Sequence, residues 1–105
     1  MVGGRARARC PRQLADDPEA WTEQPLADPA AESVRFIARA LARALAGQGL
    51  SLRAAAAGSG VNRQAIADLL AGRSWPDVAT VARLAAFTRV HLWPESPGCF
   101  RNEDH

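Results

Sequence analysis

Apolar residues recur at three- and four-residue steps through the middle of the chain, a period that predicts helices and no strands. Val34, Ile37, Leu41, Ala44 and Leu45 form one such face, which predicts a first helix from about Ala31 to Ala46, ended by Gly47 and Gly49. A second, alanine-rich helix starts with Ser51 as N-cap and reaches about Ala57. Gly58-Ser59-Gly60 reads as the turn that follows. A third helix starts with Asn62 as N-cap and runs to Gly72, with Ile66, Leu69 and Leu70 inward and Arg63, Gln64, Ala67 and Asp68 outward. Pro76-Asp77 opens a fourth helix whose buried side is expected to be Val78, Val81, Ala82, Leu84, Ala85 and Phe87. Val90, Leu92 and Trp93 are apolar again, and Pro94 stops further regularity.

The flanks lack this period. Residues 1–31 hold prolines 11, 18, 25 and 29 among mixed charges and read as a disordered extension, with at most a turn of helix near Glu19–Glu23. Trp21 is able to dock on the domain, with nothing in the sequence to say where. Residues 94–105 read as an irregular tail. The expected organisation is therefore an all-α bundle of four to five helices over residues 32–93 between two unstructured tails. Much of the apolar 48% is alanine, so the core is expected to be small. No apolar run approaches a membrane span of roughly 18 residues, and no apolar stretch follows the basic N-terminus as in a secretory signal, so a cytoplasmic protein is expected.

Two short helices joined by a glycine-containing turn read as a helix-turn-helix, whose second helix can lie in a DNA major groove. Charge agrees with that reading. Residues 33–92 carry eight arginines (35, 39, 43, 53, 63, 73, 83, 89) against Asp68 and Asp77, a net +6 within a chain of net +2. A basic domain fits a polyanionic partner. All thirteen basic residues are arginine and the chain has no tyrosine. That bias fits the codon usage of a GC-rich bacterial genome and carries no chemistry of its own.

No catalytic set is present, and an enzyme is not expected. His91 and His105 have no partners at metal-ligand spacing, and Cys10 and Cys99 have no neighbouring cysteine, so no metal and no cofactor is expected. The two cysteines read as separate thiols in a reducing cytosol, with a disulfide as the alternative.

Residues 33–93 resemble the Cro/C1-type (XRE-type) helix-turn-helix family. The match is carried by Gly49-Leu50-Ser51 before the second helix, Ala56 at the close approach of two helices, and Gly60-Val61-Asn62-Arg63-Gln64 at the entry to the third. Ile66 as its buried residue, Gly72-Arg73 closing it and Pro76 before the fourth helix complete the pattern. The resemblance implies a lambda-repressor-like fold and a sequence-specific, repressor-like regulator that binds double-stranded DNA in the nucleoid as a homodimer. An antitoxin paired with a toxin, or a protein-interaction module on the same fold, is the alternative. The chain departs from the family at Ala55, usually Leu; at Leu52, often Gln; and at Leu70, often Glu. Its fifth helix is shortened to Val90–Trp93 or missing. Ala55 predicts an underpacked contact unless Phe87 or Trp93 fills the space.

By that resemblance, Arg63 and Gln64 sit at the exposed first turn of the reading helix, with Asp68 one turn on. Arginine suits guanine, glutamine suits adenine, and a carboxylate accepts from cytosine. Each also has a plainer reading: Arg63 and Gln64 as surface residues, Asp68 as the partner of Arg63 or Arg73. Phosphate contacts are expected from Ser51, Arg53, Asn62, Arg73 and one or more of Arg35, Arg39 and Arg43. Asn62 serves also as a cap, and the Arg35, Arg39, Arg43 stripe reads equally as a solvated face. Arg5, Arg7, Arg9 and Arg12 suggest an arm to the minor groove or backbone. Trp75 reads as a staple across the fourth helix or as an exposed contact, and Leu92 and Trp93 as dimer contacts or as core.

Overall fold

Among the described residues, four caps and four left-handed residues bound four α-helices, and no strand is found. The computed structural model describes residues 9–94. Helix α1 spans Pro29–Gln48 and starts before the apolar face does. The Asp28 side chain accepts from the Ala31 N–H at 2.9 Å. Pro29 takes the first helical position, where its missing N–H and fixed φ cost nothing. The proline that reads as a breaker in a linear scan is thus the helix start. Helix α2 spans Leu52–Ser59 behind Ser51, whose Oγ accepts from Ala54 N–H at 3.1 Å. Helix α3 spans Arg63–Ala71 behind Asn62, and α4 spans Val78–Thr88 behind Asp77, which accepts from Thr80 N–H at 2.7 Å.

The expected Gly58-Ser59-Gly60 turn is confined to Gly60, whose φ is +78°. Gly58 and Ser59 continue α2. Gly58 is required for a different reason. The Phe87 ring of α4 occupies the space a Cβ there would fill.

The core comprises Val34, Ile37, Ala38, Leu41 and Leu45 of α1, Ala55 of α2, Ile66 and Leu69 of α3, and Val81 and Leu84 of α4. The expected inner face of α4 is corrected at two positions: Val78 is 70% exposed and Ala82 is exposed. Val78 stands on the first turn, beyond the edge of the core, and Ala82 lies to the outer side of a buried stripe made by Val81, Leu84 and Thr88. The Thr88 hydroxyl donates to the Leu84 carbonyl at 2.9 Å, which satisfies it inside the core. Past α4 there is no fifth helix among the described residues. Arg89 takes a left-handed φ of +60° and the chain continues irregularly to Leu92, which is fully buried. Leu92 is therefore core and not a dimer contact, while Trp93 packs half-buried against the same cluster.

The N-terminal side differs most from expectation. Residues 9–28 do not hang free. Pro11–Leu14 and Pro18–Ala20 form short 3-10 turns, and Trp21 and Leu26 enter the core. Burial of a tryptophan offsets the ordering of a short segment that local propensity alone leaves unstructured. This strap is part of the domain. Residues 1–8, with Arg5 and Arg7, and 95–105, with Cys99, His105 and most of the expected tail, lie outside the described residues. No described helix is long and apolar enough to cross a membrane.

Candidate nucleic-acid interface

Helix α3 is held at its C-terminal end and open at its N-terminal end. At the closed end the Trp21 indole N–H donates to the Leu70 carbonyl at 3.1 Å, and the Arg12 N–H donates to the Gly72 carbonyl at 2.9 Å. Both acceptors are end-of-helix carbonyls, the groups a helix terminus leaves without internal partners. The Trp75 indole N–H donates to the Arg9 carbonyl at 2.9 Å, so Trp75 anchors the strap in place of the expected staple. These strap contacts are not legible in the sequence. The one signal was an isolated tryptophan in a proline-rich segment.

At the open end, Asn62 Oδ1 accepts from the Gln64 N–H at 2.7 Å and the Ala65 N–H at 3.3 Å. Asn62 is thus a true cap, and its amide group is left for an outside acceptor. Arg63 and Gln64 are exposed beside it. Buried Ile66 and Leu69 fix the opposite face, which decides which side of α3 faces out.

Asp68 is half-buried on that outer face. Its Oδ1 accepts from Gln64 Nε2 at 3.0 Å and from Arg73 Nε at 3.2 Å, with Arg73 Nη2 paired to it at 3.2 Å. Of the two partners considered for Asp68, Arg73 is the one present. The Arg73 N–H also donates to the Asp68 carbonyl at 2.8 Å, and left-handed Gly72 makes that return possible.

The arginine stripe of α1 divides. Arg35 Nε and Nη2 grip both Glu32 oxygens at 2.8 and 2.7 Å, and its Nη1 donates to the Thr22 carbonyl at 3.0 Å. With 12% of its side chain exposed, Arg35 holds the strap against α1 and is withdrawn from the expected phosphate contacts. The pairing holds the Glu32 carboxyl below its ordinary value, chiefly through the Arg35 hydrogen bond, and raises the Arg35 guanidinium. Arg39 donates to the same Thr22 carbonyl at 3.3 Å, and Arg43 is exposed. Ser51 and Arg53 are exposed at the start of α2. Arg12 is engaged within the strap, donating from Nε to the Pro18 carbonyl at 2.8 Å, which removes it from the expected arm; Arg9 is exposed.

The helix-turn-helix family model matches residues 40–92, which takes in the C-terminal part of α1 and all of α2, α3 and α4. No curated protein and no solved structure matches the chain.

Proposed function

The chain belongs to the Cro/C1-type helix-turn-helix family of DNA-binding transcription regulators, and from that premise we propose that it is a repressor-like regulator that binds duplex DNA sequence-specifically with α3 in the major groove. The observation that carries the reading is the capped, open first turn of α3. There Arg63 and Gln64 stand exposed while Ile66 and Leu69 anchor the helix from behind. Arg63 reads guanine and Gln64 reads adenine, because each matches the donor and acceptor pattern of that base's groove edge. Ser51, Arg53, Asn62 and Arg43 are the exposed polar and basic groups offered to phosphates, with the outer edge of Arg73. Phosphate contacts set register and affinity, and base contacts set choice.

One such helix reads few base pairs, so the active form is a homodimer on two half-sites about 34 Å apart. Leu92 lies in the core, which leaves the dimer contact to residues still exposed. The test is selection by the full chain from a random duplex library. One enriched sequence with two-fold symmetry is expected. Arg63→Ala then costs about 1–3 kcal/mol on that sequence and relaxes choice at one base pair. Arg53→Ala weakens all sequences alike and flattens the salt dependence. A library from which nothing is enriched sinks the proposal.

A further inference from the structure

We infer that Asp68 is a positioning residue: it turns the Gln64 carboxamide so that its oxygen leads outward, which selects adenine over guanine at the base pair Gln64 meets. The inference rests on the reading of α3 as the groove-entering helix.

Gln64 and Asp68 are four residues apart, so they share one face of the helix. A carboxylate only accepts hydrogen bonds. With Gln64 Nε2 at 3.0 Å from Asp68 Oδ1, the end of the carboxamide facing Asp68 has to be its NH2 group. Turned end over end, two oxygens would meet there and repel. Oε1 therefore faces away from Asp68, with the second N–H still unused. Arg73 brings Nε and Nη2 to the same oxygen, each at 3.2 Å, and offsets its charge. The acid is thus kept in place on a face that meets phosphates.

A free glutamine is ambiguous in the major groove. Its NH2 end donates to guanine or thymine, and its oxygen end accepts from adenine or cytosine. Pinning one N–H to Asp68 keeps Oε1 beside the N–H that remains, so a donation to guanine or thymine brings an oxygen against the groove edge with it. Adenine alone pairs an amino donor with an adjacent N7 acceptor, matching an outward Oε1 and the remaining N–H. Guanine would set one of its two acceptors, O6 or N7, against that oxygen. The network thus acts by excluding guanine as much as by binding adenine.

The test measures binding of the full chain to its selected duplex, with each of the four base pairs placed at the position that Gln64→Ala relaxes. Wild type is expected to favour adenine over guanine there by roughly tenfold to a hundredfold, the range of one good bidentate contact. Asp68→Ala should bring that ratio close to one and leave the other positions unchanged. Arg73→Ala should shift it in the same direction. The Gln64→Ala, Asp68→Ala double variant should behave as Gln64→Ala alone, since coupled groups are not additive. In the DNA-free protein, the Gln64 side-chain amide protons should differ in nuclear magnetic resonance shift from those of exposed Gln24, and Asp68→Ala should remove the difference. An Asp68→Ala effect at a different base pair would mean that Asp68 reads a base itself and would overturn the inference. An unmoved ratio overturns it as well. Failure of the groove reading is distinguishable, because wild type then enriches no sequence at all.

Discussion

The indole of Trp21 occupies the space a side chain on Gly72 would need. A methyl group there would lie 2.5 Å from Trp21 Cε2, and Gly72 already has a φ of +74°. The residue that ends α3 is thus also the seat of the N-terminal strap. Gly49 has a similar φ of +66° with nothing within 4 Å of such a methyl, which makes it the matched control. Gly49→Ala is expected to cost about 1–2 kcal/mol for the left-handed backbone alone. Gly72→Ala should cost that and about 1–3 kcal/mol more, because the indole has to move. Trp21→Ala should cost about 3–5 kcal/mol. Denaturation midpoints of the three variants check the order. Equal losses at the two glycines would mean that the strap does not seat on α3.

Acid should loosen the same strap. The Arg35 hydrogen bond holds Glu32 below its ordinary value of 4.5, and hydrogen bonds from Thr80 hold Asp77 below 3.8. A carboxyl whose pKa is depressed by folding adds stability that is fully present above its unfolded value and lost as pH falls through the folded one. The denaturation midpoint should therefore be flat down to about pH 4.5 and then fall. Glu32→Gln should lower the midpoint at pH 7 by no more than about 1 kcal/mol, because the pair is partly exposed. It should also reduce the acid sensitivity. An unchanged acid slope in Glu32→Gln would assign the loss to other carboxyls.

The helices were legible in the sequence wherever local signals decide them. Ser51, Asn62 and Asp77 cap as expected, Gly60 and Gly72 end their helices, and Ile66 and Leu69 point inward. What was not legible depends on contacts between distant residues. Trp21 finds Leu70 forty-nine positions away. Arg35 reads as one of three stacked cations until Thr22 and Glu32 close around it. Val78 fits an apolar stripe at the start of α4, but the first turn lies beyond the core's edge. In the candidate site, the exposure of Arg63 and Gln64 followed from helical period. Arg73 was one of two partners read for Asp68, and the chain's return past Gly72 selects it over Arg63; that Gln64 shares the same oxygen was not read.

Arg89 closes α4 in the left-handed region at φ +60°, a conformation that costs a non-glycine residue about 1–2 kcal/mol. Its N–H still caps the helix by donating to the Ala85 carbonyl at 2.8 Å. Glycine keeps that bond without the strain, at some cost in unfolded-chain entropy. Arg89→Gly should therefore raise stability by about 0.5–1 kcal/mol. A lower midpoint would show that the exposed arginine side chain makes a contact of its own.

Ala55 and Gly58 lie one turn apart on α2. Ala55 is fully buried, and the Phe87 ring lies where a Gly58 side chain would go. Of the two readings of Ala55, an underpacked site or one with its space filled by an aromatic, the Phe87 ring one turn away favours the second. Ala55→Leu should then cost about 1–3 kcal/mol by overpacking. Gly58→Ala should be destabilising too, although alanine is by propensity the better helix former by about 1 kcal/mol. The decisive variant combines changes. Phe87→Leu gives up ring area, and if the ring is what limits both sites, Gly58→Ala should cost less in the Phe87→Leu background than alone. Additive losses would mean that the backbone of α2 and not the Phe87 ring sets the limit, and an Ala55→Leu midpoint above wild type would restore the underpacked reading.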